Sequence, residues 1–290
     1  MSTLLLVNPK ASKVDEASTL AVAAALGGPE IVHTAHAGHG GEIAAALDPS
    51  VDTLVVFSGD GTYNEVLNGL ASEVTLGFIP GGGTSVLPRA LGLPREPLAA
   101  ARRLTAGRTR RIGLGRANGR RFAFAAGVGF DADLIRAVDR LGRDEHGKRP
   151  GDRAFVKAAT GELVRRRFRL PPILEVEGLG RAAFALVANC RPYTYLGRRG
   201  LPVAPGASFD LGLDVAAPKD VRLWSLPLLA HHLFWGTRPD HARGVLHGHD
   251  LDRFAVRCDR PTALELDGED LGDVTEVLFE AERNAVTVLV

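Results

Sequence analysis

The sequence has little of what would identify a secreted or membrane-spanning protein. Its 290 residues include 2 cysteines, Cys190 and Cys258, at no metal or redox spacing, which predicts two buried thiols in a reducing compartment. No apolar run approaches the ~18 residues that a membrane span requires. The first residues form an apolar strand without the basic segment and cleavage site of a leader peptide. We therefore expect a cytoplasmic protein with no transmembrane segment.

An excess of charge of either sign is also absent. The 35 Lys and Arg residues nearly balance 34 Asp and Glu residues, so the net charge of +1 gives no reason to expect a nucleic-acid partner. The 9 histidines combine with no cysteine or carboxylate motif, which argues against a zinc site. With 45% hydrophobic residues, the chain is long enough to bury the cores of two globular domains.

What the sequence does have is a distinctive central stretch, LVVFSGDGTYNEVLNGL, at residues 54–70. Residues 54–57 form an apolar run typical of a strand covered on both faces, and the apolar positions within 66–70 recur at helical spacing. Between them, the glycines on either side of Asp60 let the backbone turn sharply and approach a ligand closely. The helix that follows presents N–H groups and partial positive charge at its N-terminus, which suits a phosphate.

Asp60, the carboxylate within this turn, limits what the turn can bind. It would repel a phosphate directly, but the two are compatible if a divalent cation or its hydration shell lies between them. Thr62 and Glu65 have the T-x-x-E spacing of a capping box, which predicts that the helix begins just after the turn. The alternative is a tight strand-turn-helix connection with a solvated aspartate. The phosphate-binding patterns GxGxxG and G-x-x-x-x-G-K-[ST] are both absent.

The N-terminal part of the chain alternates strands and helices. Apolar strands are predicted at residues 4–7, 30–34, 54–57 and 75–79, with helices between them. Short connections of this kind indicate a parallel sheet whose ligand crevice lies at the carboxyl ends of its strands. Three polar residues follow such ends, namely Asn8, Thr34 and Asp60.

The pattern changes to hairpins in the second part of the chain. Asn118-Gly119 between two alternating runs predicts a β-hairpin, and the later strands read as antiparallel. We expect two domains, residues 1–115 and residues 116–290, with the last strand packing back on the first domain. The predicted fold class is therefore α/β plus β.

The pattern S-G-D-G-T-x-N-E-V-x-N-G-L at residues 58–70 resembles the signature of the diacylglycerol kinase catalytic domain family. That family includes bacterial lipid kinases, diacylglycerol kinases and sphingosine kinases. NAD kinases share a related G-G-D-G-T turn, but the continuation over residues 64–69 resembles the lipid kinases. The resemblance implies an N-terminal parallel-sheet nucleotide-binding domain of the NAD kinase/phosphofructokinase type. It also implies a C-terminal, mainly antiparallel β-sandwich domain.

The same resemblance implies roles for individual residues. ATP and Mg²⁺ would bind, with Asp60 as metal ligand and catalytic residue. Glu269 of Asp267-Gly268-Glu269 would be the general base that accepts the proton of the acceptor hydroxyl, although by itself this tripeptide predicts only a turn. Because Glu269 and Asp60 lie in different predicted domains, the site is expected in the cleft between them. The implied nucleotide-binding residues are Asn8, Thr34, Ser58, Gly59, Gly61, Thr62, Asn64, Glu65 and Thr84.

The implied activity is transfer of the γ-phosphoryl group of ATP to a hydroxyl of a diacylglycerol-like or sphingoid-like lipid. It would occur on the cytoplasmic side of a membrane surface, and a homodimer is compatible with it. Two alternatives stay open: a kinase of a soluble polyol or of NAD, and a nucleotide-binding relative with impaired catalysis. The second alternative rests on four departures from the family motifs. They are Ser12 for glycine, Gly83 for serine or threonine, Ser85 for asparagine, and Leu211 for the aspartate that holds a structural Mg²⁺.

Two further segments have competing interpretations. Residues 221–236 read as a helix containing Trp224 and Trp235, and a core position is favoured over contact with lipid. The arginine-rich run at residues 165–169 is read as a solvated face in preference to a site for anionic headgroups. Residues 142–153 are polar and are expected to form a loop.

Overall fold

The protein, seen here in a computed structural model, is described over residues 2–142, 150–235 and 243–290. Within these ranges the chain forms two compact units. Residues 2–112 and 284–290 make up the N-terminal unit, and the described residues from 113 to 283 make up the C-terminal unit. The loop predicted at residues 142–153 lies largely outside the described residues.

The N-terminal unit is a parallel sheet with crossover helices. Its elements are β1 (Ser2–Val7), α1 (Glu16–Ala25), β2 (Glu30–His33), α2 (His39–Ala45), β3 (Val51–Ser58), α3 (Asp60–Gly69), β4 (Thr75–Pro80), α4 (Val86–Ala90) and α5 (Pro97–Leu104). The strands lie in the order β2-β1-β3-β4, and each neighbouring pair is parallel. Near the end of the chain, Thr287 and Val288 pair in parallel with β4 and extend this sheet.

Apolar runs account for this arrangement. Residues 54–58 of β3 are 0–1% exposed, as expected for a central strand with helices on both faces. Helix α3 packs closely against α2 because glycines lie at the crossing. A Cβ atom at Gly69 would overlap the carbonyl oxygen of Gly41, so no larger residue fits there without a shift of the backbone. Because β1, β3 and β4 are parallel neighbours in the sheet, their carboxyl ends lie side by side.

The C-terminal unit contains most of the remaining elements. They are β5 (Thr109–Ala117), β6 (Arg120–Phe122), β7 (Ala125–Val128), α6 (Phe130–Asp139), α7 (Asp152–Arg165), β8 (Arg169–Leu170), β9 (Leu174–Val176), β10 (Gly180–Ala182), β11 (Ala185–Ala188), β12 (Thr194–Leu196), β13 (Arg199–Leu201), β14 (Leu213–Pro218), β15 (Val221–Arg222), α8 (Leu226–Trp235), β16 (Val245–Leu251), β17 (Arg253–Leu266) and β18 (Glu269–Leu289). A single 3₁₀ turn, Leu223–Ser225, precedes α8.

The strands of this unit are antiparallel, in the order β16-β14-β11-β7-β17-β18. The first half of β17 pairs with β9 and its second half pairs with β7. Phe122, Val187, Phe254 and Phe279 belong to the buried hydrophobic core of this unit. Parallel strands in the first unit and antiparallel strands in the second confirm the predicted α/β plus β class.

Two sequence predictions are wrong in this part of the chain. Cys190 is buried, but Cys258 is only partly buried. The segment predicted as one core helix from residue 221 instead forms β15, the 3₁₀ turn and α8. Trp224 in the 3₁₀ turn is 75% exposed and Trp235 in α8 is 61% exposed, so neither tryptophan is a core residue. Among the described helices, none is both long and apolar enough to cross a membrane.

Candidate active site

The turn between β3 and α3 begins the helix earlier than the sequence predicts. Gly59 is the N-cap, its backbone is extended (φ −106°, ψ 176°), and it has no side chain to cap the helix. Helix α3 therefore starts at Asp60, and the capping box predicted for Thr62 and Glu65 is wrong. The first turn of the helix keeps the N–H groups and partial positive charge that favour an anion.

Thr62 and Glu65 instead hold neighbouring loops. The Thr62 hydroxyl oxygen accepts hydrogen bonds from Ser58 Oγ at 2.8 Å and from Asn8 Nδ2 at 3.0 Å. The Glu65 carboxylate accepts the backbone N–H groups of Gly38 and Gly40, at 2.8 and 3.1 Å. Because Gly38 is the N-cap of α2 and makes no side-chain cap of its own, Glu65 caps that helix from α3.

Asp60 has the same kind of role toward α4. Its carboxylate oxygens accept the backbone N–H groups of Val86 at 3.0 Å and Leu87 at 3.2 Å. The N-cap of α4 is Ser85, which lies in the left-handed region (φ 48°) and makes no side-chain cap. The aspartate of the glycine turn thus fastens α3 to the loop that follows β4.

The glycine loops after β3 and β4 touch through their backbones. Gly81 N donates a hydrogen bond to Ser58 O at 2.6 Å, and a Cβ atom at Gly82 would lie 2.9 Å from the Cα of Gly59. Only glycine fits at such a distance without a shift of the backbone. By contrast, a Cβ at Gly83 would meet nothing within 4 Å, so a serine would fit at this departure from the family motif.

Positive charge lies next to these loops. Lys13 N donates to Gly81 O at 2.8 Å, and its ammonium Nζ is 3.5 Å from Arg95 O. Burial lowers the pKa of Lys13, and the nearby positive charges of Arg95 and Arg89 lower it further. An anion between these groups would relieve both effects. No sequence motif marks Arg95.

The structure places the other predicted nucleotide-binding residues differently. Thr34 is buried, and its N–H donates to Val7 O at 2.9 Å. Thr84 is exposed on the loop after β4. Asn64 is 0% exposed, and Asn68 Nδ2 donates to its side-chain oxygen at 3.1 Å, so Asn64 supports α3 from within. Gly61 lies in the first turn of α3.

In the C-terminal unit, Asp267 and Gly268 form the two-residue turn between β17 and β18. Both have positive φ, 51° and 81°, which is the geometry of a type I′ hairpin turn. The Asp267 carboxylate accepts three backbone N–H groups, those of residues 123–125, at 2.7 to 3.2 Å. Glu269 follows as the first residue of β18, 33% of its side chain is exposed, and Arg120 Nη2 lies 3.4 Å from Oε2.

A buried acidic cluster supports this turn, and sequence reasoning did not find it. Tyr193 Oη lies 2.7 Å from Asp131 Oδ2 and 3.2 Å from Glu265 Oε1, and Gly268 N donates to the other oxygen of Glu265 at 2.8 Å. Burial raises the pKa of Asp131, and burial together with the Asp131 charge raises that of Glu265 well above its ordinary value. Burial therefore favours the protonated forms of the carboxyl groups near the Asp267-Gly268 turn.

The residues present can accommodate Mg²⁺, although they do not enclose it. Within the described ranges, no group of three His, Cys, Asp or Glu side chains could hold a metal ion. Asp60 alone would supply a carboxylate at the glycine turn. Mg²⁺ commonly keeps several waters and binds one or two carboxylates together with substrate phosphates.

Two features define the class of this fold: a parallel α/β unit with a glycine turn at its strand ends, and a mainly antiparallel unit with an acidic hairpin turn. Residues 2–117 match the family model described as "Diacylglycerol kinase catalytic domain". This segment, about two fifths of the chain, is similar to that family, in agreement with the resemblance seen in the sequence.

Named relatives and solved structures are similar to the chain as well. The chain is 46% identical over 87 residues to a diacylglycerol kinase of Bacillus subtilis (strain 168), which is 29% of each chain. It is 37% identical over 91 residues to a diacylglycerol kinase of Staphylococcus saprophyticus, 30% of each chain. These matches span less than a third of the length of the curated relatives.

The fold itself extends over the whole chain. A crystal structure of a diacylglycerol kinase from Bacillus anthracis str. Sterne has a TM-score of 0.73 and 22% identity, covering 99% of this chain and 96% of that one. An NAD kinase from Archaeoglobus fulgidus in complex with ATP has a TM-score of 0.52 and 12% identity, covering 99% and 93%. At these identities the likeness concerns the fold, and it confirms the predicted NAD kinase type.

Proposed function

We propose that this protein is an ATP-dependent lipid kinase, which transfers the γ-phosphoryl group of ATP to a hydroxyl of a diacylglycerol-like or sphingoid-like lipid. The catalytic-domain match and the diacylglycerol kinase relatives support a lipid kinase. ATP as donor and the class of lipid are the finer parts of the proposal. We place the reaction on the cytoplasmic side of the membrane, where ATP and a lipid acceptor meet.

The observation that carries the proposal is the joining of two glycine loops at the carboxyl ends of β3 and β4. Asp60 accepts two N–H groups from α4, and Gly81 donates to Ser58, so the loops form one rigid platform. The N-terminus of α3 presents its N–H groups there. Lys13 contributes a positively charged ammonium group, and burial lowers the pKa of that group. Such a platform suits the phosphates of a nucleotide.

Mg²⁺ would be held by Asp60 and by the phosphates, and it would neutralise their negative charge. Ser58, Thr62 and Asn8 already form a hydrogen-bonded chain, which fixes the turn before any ligand arrives. We assign the backbone of Gly59 and Gly61 to phosphate contact. The four departures from the family motifs then fall on loop positions, and the Gly83 position has open space for the missing hydroxyl group.

We assign Glu269 as general base. The lipid hydroxyl oxygen attacks the γ-phosphorus and forms a new O–P bond, the bond between the γ-phosphorus and the β–γ bridging oxygen breaks, and ADP leaves. The hydroxyl proton passes to the Glu269 carboxylate. The Asp267 turn and the buried cluster below it fix the start of β18, so they position Glu269 and do not contact the reactants.

The direct test is incubation of the pure protein with radiolabelled ATP, Mg²⁺ and a total lipid extract, followed by chromatography of the labelled products. The proposal expects a labelled lipid and no label on NAD or on soluble polyols supplied in parallel. Label on NAD or on a polyol would favour the alternative kinases. ATP binding with no labelled product from any acceptor would favour the impaired relative.

Two lysine variants test whether the two joined glycine loops and Lys13 bind the phosphates of ATP. Lys13→Gln is expected to weaken ATP binding by about tenfold, because one charge-assisted contact is lost. Lys10→Gln is the matched control, because Lys10 is exposed and three residues away on the same loop. Equal ATP affinity in both variants, measured by calorimetry, would remove Lys13 from the site.

A further inference from the structure

A buried tyrosine lies next to the turn between β3 and α3. Tyr63 is 1% exposed and belongs to the N-terminal half of α3. Its hydroxyl oxygen lies 2.7 Å from Ser58 O and 2.6 Å from Ile79 O. These carbonyl groups lie near the carboxyl ends of β3 and β4, so one hydroxyl group reaches both strands where the two glycine loops begin.

The hydroxyl group of Tyr63 is a hydrogen-bond donor in this position. Burial, and after it the negative charge of Asp60, raise the pKa of Tyr63 well above its ordinary value, so the hydroxyl keeps its proton at neutral pH. A carbonyl oxygen can only accept, and the hydroxyl has a single proton, so it donates to one of the two carbonyl groups at a time. A phenylalanine at this position would remove that donor from both strand ends.

Tyr63 contacts both peptide groups of Gly59, the residue that precedes α3. Its side chain contacts the carbonyl oxygen of Ser58, which shares a peptide group with the N–H of Gly59. Its backbone N–H donates to the carbonyl oxygen of Gly59 at 3.3 Å. In a planar trans peptide the C=O and N–H bonds point in opposite directions. A hydroxyl group that holds Ser58 O therefore directs the Gly59 N–H away from the buried tyrosine.

The second glycine loop meets the first at the same carbonyl group. Ser58 O also accepts the N–H of Gly81 at 2.6 Å, and Gly81 directly follows β4. A carbonyl oxygen has two lone pairs and can accept both bonds. The backbone N–H of one loop and the side-chain hydroxyl of α3 thus fix the direction of a single peptide group, the one that ends in the Gly59 N–H.

We propose that Tyr63 is a positioning residue of the phosphate site, whose hydroxyl group aims the Gly59 N–H at a phosphate of the bound nucleotide. A donor that is oriented before the anion arrives costs no reorganisation on binding, which strengthens the contact. The inference rests on the proposed function, because that function assigns the Gly59 backbone to phosphate contact. Tyr63 itself is buried and contacts no reactant.

Tyr63→Phe tests the proposal, because it removes the hydroxyl group and keeps the ring. The probe is inorganic tripolyphosphate with Mg²⁺, which presents the phosphates without a nucleobase and undergoes no transfer. Calorimetry should show that tripolyphosphate binds about fivefold more weakly to Tyr63→Phe than to the wild type, the effect of one hydrogen bond. Equal affinity in the two proteins would overturn the proposal, and so would a wild type that does not bind tripolyphosphate.

Phe78→Leu is the matched control for a general loss of packing. Phe78 is 0% exposed, and its ring meets the Tyr63 ring edge-on with 5.0 Å between the ring centroids. The variant disturbs the same core without removing the hydroxyl group, so its melting temperature should fall at least as far as that of Tyr63→Phe. Its affinity for tripolyphosphate should stay within about twofold of the wild type. Equal weakening in both variants would contradict the proposal.

The Gly59 amide gives a second test on the unchanged chain. In isotope-labelled wild-type protein, saturating tripolyphosphate should move the Gly59 amide proton resonance downfield, because that N–H gains a charged acceptor. The movement should be smaller in Tyr63→Phe at saturation, and it should keep its full size in Phe78→Leu. A Gly59 resonance that does not move in the wild type would overturn the proposal.

Phosphoryl transfer separates this inference from the proposed function. With labelled ATP and a lipid acceptor, Tyr63→Phe should raise the KM for ATP by about fivefold and leave the KM for the lipid unchanged. Tripolyphosphate binding that depends on the Tyr63 hydroxyl, with no labelled lipid in the wild type, would leave the positioning role standing and remove the proposed function. Labelled lipid formed by Tyr63→Phe with an unchanged KM for ATP would remove the positioning role and leave the function.

Discussion

Two aspartates, Asp60 in the N-terminal unit and Asp267 in the C-terminal unit, make the same kind of bond in different settings. Each lies beside glycine in a turn and accepts backbone N–H groups from a distant segment. Asp60 accepts two and keeps part of its surface exposed, whereas Asp267 accepts three and is 4% exposed. The comparison teaches that the same kind of backbone cap is partly exposed at one motif aspartate and buried at the other, so the two turns differ in their access to solvent.

The largest effect is expected at Asp267. Asp267→Asn should lower the free energy of unfolding by about 3–5 kcal/mol, because the amide group cannot accept all three buried N–H groups. Urea denaturation followed by far-UV circular dichroism measures this change. A loss under ~1 kcal/mol would mean that the turn is held by its backbone alone. Asp267 would then not have the structural role that the comparison gives it.

Asp60→Asn should reduce phosphoryl transfer by about 10²-fold or more, since the charge that would organise the cation is gone. Its structural cost should be only about 1–2 kcal/mol, the value of a helix cap. Asp15→Ala is the control, because it removes the side-chain cap of α1 at similar cost and should leave transfer unchanged. Full turnover of Asp60→Asn at saturating Mg²⁺ would show that Asp60 has only a structural role, as Asp267 does.

The close approach of the two glycine loops gives a paired test beside Asp60. Gly82→Ala should cost about 1–3 kcal/mol of stability, because its Cβ would lie 2.9 Å from the Gly59 backbone. Gly83→Ala should stay within about 0.5 kcal/mol, since its Cβ meets nothing within 4 Å. Equal melting curves for the two variants would show that the loops separate easily and do not form one platform.

The smallest effect concerns the buried cluster under the Asp267 turn. The pKa of Glu265 is raised in the folded protein, so the folded state binds more protons than the unfolded state above about pH 4.3. The protonated Glu265 carboxyl group makes its full contribution to folding stability below its pKa in the unfolded state. That contribution is lost as the pH rises through its pKa in the folded state. Glu265→Gln should therefore gain about 1 kcal/mol over wild type at pH 8, and less at pH 5. Parallel losses at both pH values, from urea denaturation, would contradict this.

Local patterns predicted much of the fold. The apolar run at 54–57 gave β3, and the Asn118-Gly119 and Asp267-Gly268 pairs gave two-residue turns with positive φ at both positions. These features depend on neighbours in sequence, which a pattern can read. The glycines at the strand ends belong with them, since their need for space follows from the turn itself.

The contacts of the candidate site could not be predicted in the same way. Thr62 and Glu65 match a capping box, yet Thr62 accepts a hydrogen bond from Asn8 across 54 residues and Glu65 accepts one from Gly38 across 27. Tyr193 meets Asp131 and Glu265 across 62 and 72 residues. Helix α8 has the composition of a core helix, and no local pattern reveals whether another element will cover its apolar face.

The most direct test of the account is Glu269→Gln, with turnover and ATP affinity measured on the same preparation. As general base, Glu269 acts only in the chemical step, so kcat should fall by about 10²- to 10⁴-fold while the Kd for ATP stays within twofold. Glu276→Gln is the control, because Glu276 is also a partly exposed residue of β18 that pairs with an arginine, Arg257, at 3.0 Å. It should change neither quantity. Unchanged kcat in Glu269→Gln, or a loss of ATP binding in parallel with kcat, would contradict the assignment of Glu269 as base.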